Sequence, residues 1–515
     1  MSRQRVVVVG AGIGGLAAAL DLSSRGVEVV MVERALQPGG KMRQVSLGGR
    51  PMDAGPTVFT MRWVFDELLA QAGTRLDAHV VLKPADVLAR HAWDDTSRLD
   101  LFADAERTCD AIGDFSGSAD ARGYRDFCTR ARQIYATLES PFIRSARPTP
   151  LSLASRAGAH GPQGLMELAR ISPFTTLWKA LGKYFKSERL CQLFGRYATY
   201  CGSSPYEAPA TLMLVAHVER DGVWLVDGGM HRIAALLAKL VTDQGAQIRY
   251  GAHVEEIIVR AGRARGVLLD SGERIAADAV VFNGDVAALR RGLLGPDVVG
   301  ALPVARRPMR SLSAITFNLL ARTSGFPLLR HSVFFSHRYS AEFKDIFGRG
   351  QLAADPTVYV CAQDRGSDVD ATGEATSDTN GHAGAAGLER LLCIVNAPAI
   401  GDFKTFTRKE IATCKTQTFE RLARCGLQVT CRPDHMQVTT PNQFEQLFPG
   451  TGGALYGGTS HGWAASFSRP GSRSRLPGLY LAGGSTHPGP GVPMAALSGR
   501  LAASSLLADR ASMRL

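Results

Sequence analysis

The sequence predicts an α/β protein in which a Rossmann-type nucleotide-binding sheet is interrupted by two insertions. Three observations support this prediction. A strand, a glycine-rich turn, a helix and a second strand follow one another within the first 33 residues. Another apolar strand appears near residue 479, close to the other end of the chain. Between them, helical apolar periodicity alternates with short strand patterns, as is typical of α/β chains.

The first segment carries a dinucleotide signature. The strand RVVVV runs into Gly10, Gly12, Gly14 and Gly15, and a helix then leads to the strand VEVVMV, which is followed directly by Glu33. Gly10 permits a tight turn, Gly12 lets the backbone approach a pyrophosphate, and Gly15 lets helix and strand pack closely. The helix N-terminus offers unpaired N–H groups to phosphate oxygens, and Glu33 can accept hydrogen bonds from a ribose.

The residues beyond Glu33 narrow the cofactor to FAD. Gly39 and Gly40 come soon after the second strand and are followed by Lys41 and Met42. Such a glycine doublet with a basic residue behind it is typical of glutathione-reductase-like flavoproteins, where the chain wraps the FAD phosphates. The sequence has no second strand–GxGxxG–helix unit, so we expect no dedicated NAD(P)H site.

The FAD-binding domain is expected to be discontinuous, covering residues 1–75, 224–305 and 446–515. Its middle piece contains a helix and a β-meander, and its last piece contains the strand LYL, a Pro/Gly loop and a helix. The insertions 76–223 and 306–445 combine helical and strand patterns. We expect them to form an inserted substrate domain of mixed β-sheet and helices, facing a membrane.

Composition is typical of a globular chain, with 45% hydrophobic and 21% charged residues over 515 positions. The nine cysteines show no CxxC pair and no cluster with histidine at metal spacing. We therefore expect no metal and a reducing compartment. No segment has the pattern of a transmembrane helix.

The positive charge is concentrated in the region 144–196, which holds nine basic residues against Glu167 and Glu188. Apolar and aromatic residues recur there at helical spacing from Phe174 to Phe185, with three lysines on the other side. One interpretation is a core-facing helix with a solvated lysine face, and the other is an interfacial helix. We expect peripheral attachment to an anionic membrane surface, and no nucleic acid, because no recognition motif accompanies the charge.

The sequence resembles the bacterial phytoene-desaturase family of FAD-dependent carotenoid enzymes over nearly its whole length. The resemblance is carried by VVVVGAGIGGLAAAL, PGGKMRQV, MDAGPTVFT, GVWLVDGGMHRIAALLAKL and, most specifically, LYLAGGSTHPGPGVPMAALSGR. Within the family it looks most like the 1-hydroxycarotenoid 3,4-desaturase (methoxyneurosporene dehydrogenase) branch. Two stretches set that branch apart from phytoene desaturases proper, RYATYCGSSPYEAPATLMLVAHVE and SHGWAASFSRPGSRSRLPGLYLAGGSTHPGPGVPMA.

The resemblance implies the position of each part of a non-covalently bound FAD. The residues of the glycine turn and Glu33 would hold the ADP half, and Val254 would meet the adenine through its backbone. The remaining cofactor residues would line the pyrophosphate, the ribityl chain and the flavin; they are Arg34, Gly39, Gly40, Lys41, Met42, Gly55, Pro56, Thr57, Gly484, Val492, Pro493 and Met494.

The resemblance also implies the reaction, which is desaturation of an acyclic carotenoid. The branch it most resembles acts at the 3,4 bond of 1-hydroxycarotenoids. Flavin N5 would accept a hydride, and the protein would supply positioning more than a strong base. His461 is a weak catalytic candidate beside a favoured structural role. The expected location is cytoplasmic, peripherally attached to the inner or intracytoplasmic membrane, with quinone or oxygen as electron acceptor.

Four alternatives remain at this point. Within the same family, the protein could be a phytoene desaturase or a carotenoid isomerase. A flavin amine oxidase shares the split fold, although no cysteine for covalent flavin attachment follows Cys431. A non-catalytic isoprenoid-binding protein on this fold is the fourth.

Overall fold

The computed structural model describes residues 4–159, 171, 174–303, 309–369, 375–377 and 387–512. Its strands are β1 (Arg5–Val9), β2 (Glu28–Glu33), β3 (Gln44–Leu47), β4 (Arg50–Asp53), β5 (Leu82–Pro84), β6 (Val87–Ala92), β7 (Arg98–Phe102), β8 (Trp224–Val226), β9 (Gln247–Tyr250), β10 (Val254–Arg260), β11 (Arg263–Leu269), β12 (Arg274–Ala276), β13 (Ala279–Phe282), β14 (Ser313–Ser324), β15 (His331–Phe334), β16 (Val358–Ala362), β17 (Arg365–Val369), β18 (Ala375–Ser377), β19 (Glu389–Ala397), β20 (Gln428–Thr439) and β21 (Leu479–Leu481). Its α-helices are α1 (Ile13–Ser23), α2 (Trp63–Gln71), α3 (Ala105–Ser116), α4 (Ser118–Leu138), α5 (Pro150–Ala159), α6 (Leu177–Leu181), α7 (Glu188–Gly195), α8 (Leu214–Asp221), α9 (His231–Asp243), α10 (Val286–Arg290), α11 (Tyr339–Phe343), α12 (Arg408–Arg424), α13 (Pro441–Leu447), α14 (Ala465–Ser468) and α15 (Val492–Ser512).

The nucleotide-binding sheet has five parallel strands in the order β21-β13-β1-β2-β9. The strand β1 is buried almost throughout because both faces of a parallel sheet are covered. Helix α1 packs against α9 and α15 on one of these faces. The sheet therefore combines strands from the beginning, the middle and the end of the chain, as the predicted split Rossmann-type fold requires.

A second, larger sheet is built from the two insertions. Its seven strands follow the order β20-β14-β19-β16-β15-β6-β7, and all pairs except β15 with β6 are antiparallel. Three of its strands, β14, β16 and β19, coincide with strand patterns in the sequence. The exact domain boundaries given above stay a prediction.

The strands β6 and β7 fall in an insertion whose pattern is mostly helical, and the sequence did not reveal them. The six residues of β6 are all buried, yet two of them, Arg90 and His91, are polar. Arg90 forms a buried ion pair with Asp100 on β7 at 2.7 Å. These charged side chains interrupt the apolar run by which a buried strand is normally recognised.

The helix predicted over Phe174 to Phe185 is shorter in the structure. Helix α6 covers only Leu177–Leu181, and the chain turns at Gly182. Leu177, Leu181 and Phe185 are buried, whereas Phe174 lies outside the helix and is 78% exposed. The core-facing interpretation therefore holds for the helix, while Trp178 and Tyr184 are half-buried and Phe174 presents its ring to solvent.

Candidate functional site

One large cavity of about 1710 Å³ runs from the nucleotide-binding sheet into the inserted region. Every residue assigned to the cofactor from the sequence lines it, with the exception of Gly15. Gly15 lies behind the wall, where an added Cβ would come within 2.1 Å of the Gly10 carbonyl oxygen. Close packing of helix and strand is thus the role left to Gly15.

The turn between β1 and α1 has no room for side chains. Gly10 adopts a φ of 96°, which favours glycine. A Cβ on Gly12 would lie 2.8 Å from the Asn283 side chain, and one on Gly14 would lie 2.6 Å from it. Gly12 begins α1 without a side-chain cap, so the first N–H groups of the helix are left for a phosphate.

Glu33 is the last residue of β2, and its carboxylate is held by backbone N–H groups of the turns that follow β1 and β2. Its Oε2 accepts a hydrogen bond from the Ala11 N–H at 2.6 Å, and its Oε1 accepts one from the Ala35 N–H at 2.8 Å. The side chain is buried and lines the cavity. A carboxylate has about four acceptor positions, so lone pairs remain for the two hydroxyls of a ribose.

The glycine doublet packs directly on the phosphate turn. The Gly39 N–H donates to the Ala11 carbonyl oxygen at 2.8 Å, and a Cβ on Gly40 would lie 3.2 Å from the Gly12 Cα. Behind the doublet, Lys41 turns inward and its Nζ donates to the Leu455 carbonyl oxygen at 2.7 Å. Burial lowers the pKa of the Lys41 ammonium.

The C-terminal motif closes the cavity at its centre. Helix α15 begins at Val492, and its first residues line the cavity together with Gly484. The half-buried Arg469 guanidinium fixes this loop by donating to the carbonyl oxygens of Gly484 at 3.2 Å and Tyr456 at 3.1 Å. Burial lowers the pKa of Arg469.

Two lining residues that fix the backbone here escaped the sequence analysis. Asn283 follows β13 at the carboxyl edge of the sheet, and its Nδ2 donates to the Gly10 carbonyl oxygen at 3.2 Å. Its place at the end of a parallel strand next to β1 is the signal that could have found it. Arg469 lies in a polar loop, and no local pattern distinguishes it from a surface arginine.

His461 does not occur among the cavity-lining residues of the described chain. Its Nε2 accepts a hydrogen bond from the Ser204 N–H at 3.0 Å, and its Nδ1 lies 2.6 Å from a carboxylate oxygen of Glu207. Burial lowers the pKa of the imidazole and the nearby Glu207 opposes that effect. Both ring nitrogens thus lie against residues of one neighbouring loop, as a structural role would require, and that role stays a prediction.

Beyond the cofactor residues the cavity wall is mainly apolar. It is formed by side chains from α4, α5, α8 and neighbouring loops, including Leu138, Phe142, Leu153, Ile171, Val215 and Phe467. One wall is a face of the larger sheet, where Thr316, Ile394 and Tyr359 stand side by side on paired strands. The cavity is thus suited to a long hydrophobic molecule that meets polar groups at restricted points.

The cavity reaches the surface beside two exposed aromatic side chains, and a third exposed apolar residue, Leu151, follows the cavity-lining Pro150 in the chain. Leu151 is 80% exposed, Phe174 is 78% exposed and Trp463 is 44% exposed, and Phe174 and Trp463 also line the cavity. The Phe174 and Trp463 rings are in edge contact with centroids 5.5 Å apart. We call these three residues the apolar rim.

Several of the cations in the basic region 144–196 are engaged within the protein and so are not available to an external partner. Arg144 is paired with Glu67 and Glu139, and Arg189 with Asp94. Arg147, Lys179, Lys183 and Lys186 are also exposed. Arg170 and Glu167 lie outside the described residues, as does the side chain of Arg156, and Arg196 is buried in the cavity wall.

The described helices include none that is both long enough and apolar enough to cross a membrane. Among the residues that the structure describes, no group of histidine, cysteine and carboxylate side chains could hold a metal ion. All nine cysteines lie in described segments and are free thiols.

Comparisons with known proteins give the family. The model of the flavin containing amine oxidoreductases matches residues 13–507. A hydroxyneurosporene desaturase of Rubrivivax gelatinosus is 55% identical, covering 98% of this chain and 93% of its own. One from Cereibacter sphaeroides is 44% identical over 99% and 98% of the two chains. A 1-hydroxycarotenoid 3,4-desaturase of a Flavobacterium is 30% identical over 97% and 98%.

Solved structures give the fold. An oxidoreductase from Methanosarcina mazei superposes with a TM-score of 0.58 at 16% identity, covering 98% of this chain and all of its own. A putrescine oxidase superposes with a TM-score of 0.57 at 15% identity, covering 98% of this chain and 99% of its own.

Proposed function

Because the chain belongs to the flavin-containing amine oxidoreductase family, we propose that it is an FAD-dependent desaturase of acyclic carotenoids, acting at the 3,4 bond of 1-hydroxycarotenoids. The relatives described above confirm the resemblance to carotenoid desaturases and the flavin cofactor inferred from the motifs. The single observation that carries the proposal is the cavity. Dinucleotide-binding residues and a long apolar wall line the same space.

FAD fits the residues that the structure describes. The uncapped start of α1 would hold the pyrophosphate, Glu33 the ribose and Val254 the adenine, while Gly484 and the start of α15 would meet the ribityl chain and the flavin. When bound, FAD supplies a two-electron acceptor for the hydride that desaturation removes. Gly12 and Gly14 approach Asn283 so closely that a larger residue at either position would clash with the Asn283 side chain.

The remaining work of the chain is to place the substrate and exclude water. The apolar wall removes the substrate from water, which favours binding by about 0.8 kcal/mol for each buried CH₂ group. It also keeps water away from the positive charge that develops when a hydride leaves a polyene. Positioning of one C–C bond against the flavin then decides which bond is oxidised.

Anaerobic reduction of the bound flavin tests the function. Purified protein, in separate incubations with 1-hydroxyneurosporene and with phytoene, should bleach its oxidised flavin only with the hydroxylated carotenoid, and the product should gain one double bond. Bleaching by phytoene instead would assign the protein to phytoene desaturation. Bleaching by putrescine but by neither carotenoid would assign it to amine oxidation, and isomerised product without net oxidation would identify an isomerase.

We further propose that the protein attaches peripherally to an anionic membrane through the apolar rim and the neighbouring lysines. Substrate would enter the cavity directly from the bilayer at this point, because the transfer of a carotenoid from lipid into water is strongly unfavourable. The proposed electron acceptor is a quinone or oxygen. Attachment to the inner or intracytoplasmic membrane of the cell would give access to the quinone.

Vesicle sedimentation tests the attachment. Binding to phosphatidylglycerol-containing vesicles should weaken as salt increases and should fall several-fold in Phe174→Ser. Phe403→Ser is the matched control, because Phe403 is 73% exposed and does not line the cavity. Equal binding of the two variants, or wild-type binding that ignores both salt and lipid charge, would contradict the proposal.

A further inference from the structure

A cluster of polar side chains interrupts the apolar wall of the cavity. Its members all line the cavity and come from five separate elements; they are Thr57, Arg196, Tyr200, Glu219, Tyr339 and Tyr359. We call them the polar cluster. Buried polar groups in an apolar wall are costly unless they are hydrogen-bonded, so each unsatisfied one calls for an explanation.

The first half of the polar cluster is centred on Arg196, which is only 9% exposed. Its Nη2 donates to the Tyr200 hydroxyl at 2.7 Å. Glu219 accepts a hydrogen bond from the Tyr197 hydroxyl at 2.7 Å. Burial raises the pKa of Glu219, and the Arg196 guanidinium is the strongest opposing influence. The Arg196 guanidinium thus favours the ionised form of Glu219 and opposes the effect of burial on its pKa.

The second half joins the polar cluster to the cofactor side of the cavity. The hydroxyls of Thr57 and Tyr359 lie 2.6 Å apart, and the Tyr359 hydroxyl lies 2.7 Å from His331 Nδ1. Thr57 belongs to the residues assigned to FAD. Polar groups of the cluster are thus in contact with a residue assigned to FAD.

Some donors of this cluster have no partner among the described residues. The Arg196 Nε and the Tyr339 hydroxyl are buried and make no hydrogen bond there, and the same holds for the Thr316 hydroxyl on the adjoining sheet wall. The guanidinium thus has donor capacity beyond its one bond to Tyr200. A ligand oxygen beside the cavity-lining Arg196 would accept a hydrogen bond from the remaining guanidinium N–H groups, whereas a plain hydrocarbon would not.

The position of a 1-hydroxyl relative to the 3,4 bond fits this arrangement. One carbon separates C1 from C3, so the oxygen lies only about 4 Å from the bond that is oxidised. An enzyme that desaturates the 3,4 bond must therefore place the C1 oxygen next to the flavin and not at the far end of a tunnel. Arg196, Tyr200 and Glu219 also fall within the stretch that sets the 1-hydroxycarotenoid branch apart in the sequence.

We propose that Arg196, assisted by Tyr200 and Tyr359, binds the oxygen on C1 of the substrate and thereby sets the 3,4 bond against the flavin. The inference rests on the proposed function and names the specificity determinant of that same site. A guanidinium N–H donates a hydrogen bond to a lone pair of the C1 oxygen. Carotenoids without the hydroxyl lack this hydrogen bond, so they bind through the apolar wall without the positioning that favours oxidation of the 3,4 bond.

The test compares two quantities in each variant: kcat/KM for 1-hydroxyneurosporene, and the inhibition constant of neurosporene, which lacks the hydroxyl. Arg196→Gln should lower kcat/KM about 10- to 100-fold while the inhibition constant changes less than about 3-fold. Tyr359→Phe, which removes only a hydroxyl, should lower kcat/KM about 3- to 10-fold with the same selectivity. Arg249→Gln is the control, because it removes an arginine that is paired with Glu273 at the surface.

The outcomes separate the inference from the function on which it rests. Parallel losses in both quantities, or no loss in either, would overturn the role of Arg196 while the wild-type activity stands. If Arg196→Gln does not fold, Tyr359→Phe decides by the same criterion. Wild-type protein that fails to oxidise 1-hydroxyneurosporene at all would overturn the proposed function, and the inference with it.

Discussion

Glu342 should make the protein less stable as the pH rises, and replacing it with glutamine should remove that effect. Its side chain is only 1% exposed. Oε1 accepts a hydrogen bond from Asn396 Nδ2 at 2.9 Å, and Oε2 accepts one from the Thr357 N–H at 3.1 Å. Burial nevertheless dominates and raises the pKa of Glu342 from 4.5 to about 7. Asn396 and Thr357 both line the cavity, so the carboxyl lies directly behind its wall.

The direction and size of this pH effect on stability follow from the linkage between proton binding and folding. The folded protein holds the Glu342 proton more tightly than the unfolded chain, so stability is fully present below pH 4.5 and is lost as the pH rises to about 7. Each unit of pKa shift corresponds to about 1.4 kcal/mol. A shift of this extent therefore removes about 3 kcal/mol of unfolding free energy between mildly acidic and mildly alkaline solution.

Thermal unfolding of Glu342→Gln and the wild type, compared from about pH 5 to about pH 8.5, measures this effect. The neutral amide resembles the protonated acid, so the two proteins should unfold at similar temperatures at the acidic end. At the alkaline end the variant should be more stable by up to about 3 kcal/mol. Glu420→Gln, which removes an exposed carboxylate, should follow the wild type throughout. A difference between Glu342→Gln and the wild type that is the same at every pH would refute the reasoning.

Two further predictions concern the cofactor and the histidine. Gly14→Ala should purify with little flavin, because the new Cβ would lie 2.6 Å from the Asn283 side chain and 2.9 Å from the Ala495 carbonyl oxygen. The absorbance ratio of flavin to protein measures the occupancy. Full occupancy would contradict the prediction and show that the turn can widen. His461→Ala should keep the pH profile of kcat and lose thermal stability, since both ring nitrogens are engaged within the protein; a loss of one limb of the pH profile would instead identify a base.

The sequence predicted the parts of the molecule that depend on local backbone chemistry. The turn at Gly10 requires a positive φ, and the approach of Gly14 to Asn283 requires the absence of a side chain, so both leave a trace in the residue types. Features that depend on partners distant in the chain left no such trace. Arg196 counts as one more positive charge in a basic region, and only the fold shows that Tyr200 and Glu219 surround it in a cavity wall.

The same limit explains the hidden strand β6 and the shortened helix α6. Arg90 is buried because Asp100 on the neighbouring strand compensates it, which a single segment cannot reveal. The aromatic spacing after Phe174 continues past Gly182, although the backbone does not. Periodicity records which residues are apolar, but the end of a helix is decided by the tertiary contacts of the next turn.

The order of the nucleotide-binding sheet has a consequence for the synthesis of the protein. Strand β21 comes from residues 479–481 and pairs with β13, and α15 crosses α1 so closely that a Cβ on Gly499 would touch the Gly14 carbonyl oxygen. Most of the chain must leave the ribosome before this sheet edge and the flavin pocket can form. Until then the apolar strand β13 lacks its outer neighbour, so the nascent chain is exposed to aggregation and is expected to need chaperones. Flavin capture is expected to be a late, post-translational event.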